Sequence, residues 1–205
     1  RKGGMQRPWF GNGPLDAADT ARGDMPWTPV GPSALPVADG WPMPHTLTQE
    51  DINALVADYA SAARRALAAG YKIAEVHGAH GYLLHSFLSP LSNKREDRYG
   101  GDLAGRMQLI LEVVEAVRAV WPDDLPLFFR TSAVDGTPEG WTLEDTVVLA
   151  RALKDLGVDV MDCSSSGIAG SATAGAPKKR QPGFQVPYAE RVRTDADMTT
   201  MAVGL

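Results

Sequence analysis

The 205-residue chain has a single cysteine, Cys163, so no internal disulfide framework can hold it together. One thiol suits a reducing cytoplasm, and its place in an apolar strand pattern predicts a buried, inert side chain rather than a nucleophile. No apolar run approaches the roughly 18–20 residues that span a bilayer. No signal peptide is recognisable, although the sequence opens at Arg1 rather than Met. No basic stripe stands out either. Twenty Lys and Arg against twenty-five Asp and Glu leave a formal net charge of −5, which argues against a nucleic-acid footprint. The short cluster Lys178-Lys179-Arg180 reads as a solvated loop tip. No G-x-G-x-x-G follows any strand, which weakens a Rossmann-type dinucleotide site. What these absences leave is a soluble, cytoplasmic protein of ordinary hydrophobic content, 44%, with small molecules as its partners. Association into a homo-oligomer stays open.

What is present is alternation. Residues 1–47 are rich in Gly, Pro, Trp and Asp without sustained periodicity, and predict a long loop region that could hold a short strand pair. From Thr48 the chain turns regular. Thr48 with Asp51 makes a capping-box pattern, and Ile52, Leu55, Val56, Tyr59, Ala63 and Leu67 recur at helical spacing up to Gly70. A strand from Ile73 to His77 follows, with Ile73, Glu75 and His77 on one face and Ala74 and Val76 on the other. Asp102 opens a second helix through about Trp121, stopped by Pro122. Strand 125–130 comes next, then a helix capped by Thr142 and Asp145 and closed at Gly157. Strand 158–163, a Ser/Gly/Ala-rich loop over 164–185, a short helix at about 187–195 and a strand at 200–205 complete the pattern. Short apolar strands with long crossovers predict a parallel α/β sheet. About four of the eight units of a (β/α)8 TIM barrel are present, so 1–205 is expected to be a single incomplete barrel domain with its regular core over 48–205. A small Rossmann-like sheet is the competing architecture.

The chemistry concentrates at the end of the first of these strands. Glu75-Val-His77-Gly-Ala-His80-Gly-Tyr82 brings two imidazoles and a phenol to a strand's C-terminal end, where parallel α/β enzymes gather their reactive groups. Gly78 and Gly81 are expected to let the backbone turn there. Three readings of His77 and His80 compete. They could be histidines satisfied by backbone at a turn. They could be zinc ligands, but a third ligand is wanted, and Cys163, His45 and His85 lack ligand-like spacing with them. They could be hydrogen-bond donors to a substrate oxygen, with Tyr82 as the neighbouring acid. Arg130, closing a strand on the inward face with Phe128, either pairs with Glu75 or places a permanent charge beside an electron-rich ring.

The block E-V-H-x-A-H-G-Y-L, then F-L-S-P-L-S-N-K-R-x-D-x-Y-G-G over 87–101, then Arg106 near a helix start, then Phe-Arg-Thr-Ser closing a strand, resembles the old yellow enzyme family. Within it the likeness is to the bacterial NADPH dehydrogenases and xenobiotic reductases, and it extends from Arg1-Lys2 to the M-A-V-G-L strand. The resemblance implies an FMN cofactor with NADPH or NADH as reductant, used in a ping-pong cycle. It implies that His77 and His80 grip the activating oxygen of an unsaturated carbonyl or nitro compound, that Tyr82 protonates its α-carbon, and that Arg130 lies at the flavin pyrimidine edge. Metal ligands are not implied. The family's first three strands and eighth strand, with their flavin and phosphate contacts, have no counterpart in this chain. It is therefore expected to be the central portion of such an enzyme and to bind FMN weakly or not at all by itself. A non-flavin barrel enzyme is disfavoured because Lys72 begins a strand and Glu75 lies below the rim. A non-catalytic fragment stays open.

Overall fold

A computed structural model describes residues 15–37, 39–168 and 181–204. A parallel sheet in the order β3-β4-β5-β6 organises them, formed by β3 (Ala74–Gly78), β4 (Leu127–Ser132), β5 (Val160–Ser164) and β6 (Thr199–Ala202). The strands follow one another in both sequence and space. Each crossover carries helices: α3 (Leu83–Leu88) and α4 (Leu103–Arg118), then α5 (Leu143–Asp155), then α6 (Val186–Ala196). The helix α2 (Gln49–Ala68) precedes β3 and packs against α4. This progressive βα winding is that of a partial TIM barrel.

Local chemistry fixes the elements. In α2 and α5 the side chains of Thr48 and Thr142 cap the backbone N–H groups of Asp51 and Asp145, whose carboxylates return bonds to the threonine N–H groups. Both expected capping boxes are formed. The apolar stripe of α4 buries Leu109, Ile110, Val113 and Val117. That helix ends at Arg118 rather than near Trp121, because the Arg118 guanidinium turns back onto the carbonyls of Trp121, Pro122 and Leu125. Strand β4 starts two residues later than its apolar run suggests. Leu125 closes a turn onto the Pro122 carbonyl, and Pro126 has no N–H for a ladder. It then runs on past the apolar run through Thr131 and Ser132, so that Phe-Arg-Thr-Ser does close the strand. The other strand bounds move by one to three residues, and Leu205 lies outside the described residues.

Within the 1–47 region, α1 (Ala17–Ala21) is a short helix capped by Asp16, and β1 (Val30–Gly31) pairs in parallel with β2 (His45–Thr46). Residues 1–14, including Arg1-Lys2, and the Lys178–Arg180 cluster fall outside the described residues.

The sheet has two unlike faces. Val76, Leu127, Phe129, Met161 and Cys163 point toward the helices and are buried. Cys163 is sealed there, and burial with the nearby Asp162 charge pushes its thiol up to about 12, which leaves it un-ionised and inert at neutral pH as expected. The opposite face carries Glu75, His77, Arg130 and Asp162. His77, Arg130, Asp162 and Met201 lie in one row of the register. Ile73 is 51% exposed and Met201 39% exposed on this open side.

Gly78 is required here for a reason other than turning. Its φ is not positive, but a Cβ would overlap the ring of fully buried Phe129. Gly78→Ala is expected to cost about 1–3 kcal/mol through overpacking, read as a lower urea midpoint. An unchanged midpoint would mean that the β3–β4 contact is looser than described.

Candidate functional site

The turn after β3 is built from two consecutive residues in the left-handed region, His80 at φ 61° and Gly81 at φ 75°. Glycine accepts this freely, while histidine bears roughly 1–2 kcal/mol of strain. Surrounding groups hold the conformation. The His80 N–H donates to Ser132 Oγ at 2.9 Å, and that hydroxyl donates onward to the Ser166 carbonyl at 2.6 Å. Gly167, at φ 122°, packs so tightly behind the His80 backbone that any Cβ there would collide with it.

Below the turn lies a buried pair that the sequence patterns did not single out. His85 was expected to be isolated. It is instead fully buried on α3, where its Nδ1 accepts the Gly81 N–H at 2.9 Å. That bond leaves the ring proton on Nε2, which lies 3.0 Å from Asp135 Oδ1 in a bent approach. Asp135 Oδ2 also accepts from Ser89 Oγ and from the Trp141 N–H. Burial alone would raise the Asp135 carboxyl, but the His85 contact and these two bonds outweigh it and hold the carboxyl below its ordinary value. His85 was hard to read because α3 is a single short, almost wholly buried helix, with no amphipathic stripe to announce it.

These supports bring three rings together. The His77 ring lies 5.3 Å from the His80 ring and 5.5 Å from that of Tyr82, centroid to centroid. Tyr82 is the N-cap residue of α3 and is 41% exposed. Among the described residues, neither the His77 ring nitrogens nor the Tyr82 hydroxyl has a hydrogen-bond partner, whereas His80 Nε2 meets Ser164 Oγ at 2.7 Å. Burial, the Arg130 charge and His85 all push the His77 imidazole below its ordinary value, so it is neutral at pH 7. Among the described residues, no three His, Cys, Asp or Glu side chains gather to hold a metal.

Arg130 lies beside His77 on the same face, and its partner is not Glu75. Its Nη1 donates to the fully buried Asp162 carboxylate at 2.6 Å. The adjacent strand supplies the acid directly in register, whereas Glu75 stands one row lower, opposite Phe128. The alternation Val160, Asp162, Ser164 already placed that acid on the inward face, so parity could have found it. Asp162 is held above its ordinary value, by burial that outweighs the arginine, and Glu75 rises through burial and the Asp162 charge. The Arg130 Nε and Asp162 Oδ1 are buried without hydrogen-bond partners among the described residues.

The rest of the long signature is scaffold. Asn93 Nδ2 bonds the carbonyls of Phe87 and Tyr99, Arg95 reaches those of Pro32 and Leu47, and Arg106 ties the Leu88 carbonyl to the start of α4.

Residues 11–205 match the NADH:flavin oxidoreductase / NADH oxidase family. The chain belongs to that family. It is 46% identical over 176 residues to an NADPH dehydrogenase of Geobacillus sp. (strain WCH70), covering 86% of this chain and 50% of that protein. It is 44% identical over 184 residues to the NADPH dehydrogenase of Geobacillus thermodenitrificans, covering 90% and 52%. The chain thus spans about half the length of these curated relatives. Among solved structures, 2-naphthoyl-CoA reductase superposes with a TM-score of 0.77 at 26% identity, over 85% of this chain and 27% of that one. Morphinone reductase gives 0.68 at 26% identity, over 88% and 51%. The old yellow enzyme homologue of Zymomonas mobilis gives 0.69 at 24%, over 87% and 51%, a likeness of fold. Membership implies FMN as the cofactor, with NADPH or NADH as reductant. The site fits that group on its own terms. Among the described residues, a guanidinium whose buried Nε has no partner sits beside a His77 ring that has none, on an open inward face.

Because Asp135 is lowered in the fold, the unfolded chain binds its proton more tightly. Its stabilisation is therefore complete above about pH 4 and lost as pH falls through the folded value. Asp135→Asn is expected to cost about 2–4 kcal/mol at pH 7 and to flatten the acid limb of stability, measured by urea denaturation at pH 7 and pH 3. Equal stability at pH 7 would remove the pair from the turn's support.

Proposed function

We propose that the protein is an FMN-dependent ene-reductase, which uses NAD(P)H to reduce activated C=C bonds of α,β-unsaturated carbonyl or nitro compounds in a ping-pong cycle. The observation that carries this proposal is the cluster of His77, His80 and Tyr82 on one turn, with Arg130 in register beside His77. The described residues form one continuous part of a single barrel domain in this proposal, and the inward face of the sheet is the floor of the site.

When bound, FMN supplies two-electron redox chemistry that no side chain here can provide. Arg130 would hold it at the pyrimidine edge, where a permanently charged guanidinium opposes negative charge on the ring. Asp162 keeps that guanidinium in place by its 2.6 Å bond. His77 offers a neutral N–H to the activating oxygen of the substrate, and His80 shares that oxygen. Donors fixed before the substrate arrives stabilise charge developing on the oxygen without reorganising. Tyr82, exposed toward the same space, delivers the phenolic proton to the α-carbon as the β-carbon is reduced. Nicotinamide and substrate occupy this space in turn.

Tyr82→Phe is expected to slow reoxidation of the reduced flavin by an enone by about 10²-fold or more, while reduction by NADPH stays near wild type. Stopped-flow absorbance of the two half-reactions checks this. Equal losses in both would remove the phenol from the proton-donor role.

A further inference from the structure

The open face of the sheet carries charges of both signs around one arginine. His77, Arg130 and Asp162 lie in one row of the register, on β3, β4 and β5, with Glu75 one row lower on β3. Arg130 Nη1 donates to Asp162 Oδ2 at 2.6 Å. The Asp162 side chain is fully buried and that of Arg130 is 26% exposed, so the guanidinium is the member of the pair that reaches the open side. Burial raises the Asp162 carboxyl, and the guanidinium at hydrogen-bond distance pulls it back toward the anion. Glu75 is exposed on the same face, and its carboxyl is held up by burial and then by the Asp162 charge. Two acids therefore accompany one permanent cation. A guanidinium already bonded to a buried carboxylate presents a weaker positive field to a neighbouring ring than a bare one does.

Flavin chemistry makes that difference matter. Taking up hydride from NAD(P)H adds one negative charge to the ring system of FMN and releases NAD(P)+. A cation beside the ring stabilises the charged, reduced form and raises the midpoint potential, and an anion nearby does the opposite. We propose that Asp162, and Glu75 in smaller part, offset the charge of Arg130 and so hold the midpoint potential of bound FMN below the value the arginine alone would set. The proposal rests on the place given above to Arg130, beside the flavin. Asp162 touches neither the ring nor the substrate. It is a positioning residue that acts through the guanidinium, by its charge as well as by its bond. The consequence falls on the second half of the cycle, because a flavin held at too high a potential keeps its hydride instead of passing it to the C=C bond.

The test is the midpoint potential of FMN bound to the protein made from its complete reading frame, measured at pH 8 in wild type and three variants. Asp162→Asn keeps an oxygen for Arg130 Nη1 and removes only the charge. It should favour the reduced flavin about tenfold relative to the oxidised one, an upward shift of about 30 mV for a two-electron couple. Glu75→Gln should shift the potential the same way by less, and Arg130→Gln should lower it. Oxidised FMN, whose ring system is uncharged, should bind Asp162→Asn about as well as wild type. The sign is decisive. If Asp162 served only to anchor the guanidinium, Asp162→Asn would leave the potential unmoved or lower it as Arg130→Gln does, and either result overturns the proposal while leaving Arg130 beside the flavin. A potential that none of the three variants moves overturns it together with the place of Arg130. Should Asp162→Asn fail to fold, exposed Glu75 decides: an upward shift in Glu75→Gln upholds the offset, and an unmoved potential there overturns it.

Discussion

The site depends on one constraint, the left-handed turn at His80 and Gly81. A parallel strand ordinarily leaves its sheet in extended backbone, and here two residues in succession do otherwise. The strain is small beside the groups that hold it. Ser132 takes the His80 N–H from β4, and His85 takes the Gly81 N–H from α3. Ser164 takes the His80 ring from β5. Each support is itself anchored, Ser132 by the Ser166 carbonyl, His85 by Asp135 and Ser164 by Gln185. Three ends of secondary structure thus converge on two residues, and the imidazole and phenol geometry follows from them.

The long signature that marks the family divides by physical task. His77, His80 and Tyr82 present polar groups on the open face, where catalytic residues of a barrel are carried. Asn93, Arg95, Tyr99 and Arg106 spend their polar groups on buried carbonyls and on neighbouring side chains. An arginine with several carbonyl partners can crosslink segments far apart in sequence, as Arg95 does between Pro32, Leu47 and its own loop. A motif can be long because its scaffold, as much as its chemistry, is particular.

Much of this was legible from residue patterns. Capping boxes, helical stripes and strand parity are local rules, and they placed α2, α4, α5 and the faces of β3 and β4 correctly. The turn residues were found, although Gly78 proved to serve close packing against Phe129 rather than turning. What was not legible depends on contacts between distant segments. Asp162 pairs with Arg130 across 32 residues of chain, His85 with Asp135 across 50, and His80 with Ser164 across 84. Parity puts Asp162 on the inward face, but register between parallel strands is set only when the crossovers pack, so sequence spacing alone does not say which residues meet. Glu75 was a reasonable alternative for Arg130, and the adjacent strand supplied a better one.

The most direct test of the account is the visible spectrum of the protein made from its complete reading frame, before and after addition of a simple phenol. The expected result is a flavin band that gains a long-wavelength charge-transfer shoulder, as the phenol oxygen is gripped at His77 and His80 with its ring against the flavin. A colourless protein that cannot be reconstituted with FMN, or a flavin spectrum that phenol leaves unmoved, would contradict it.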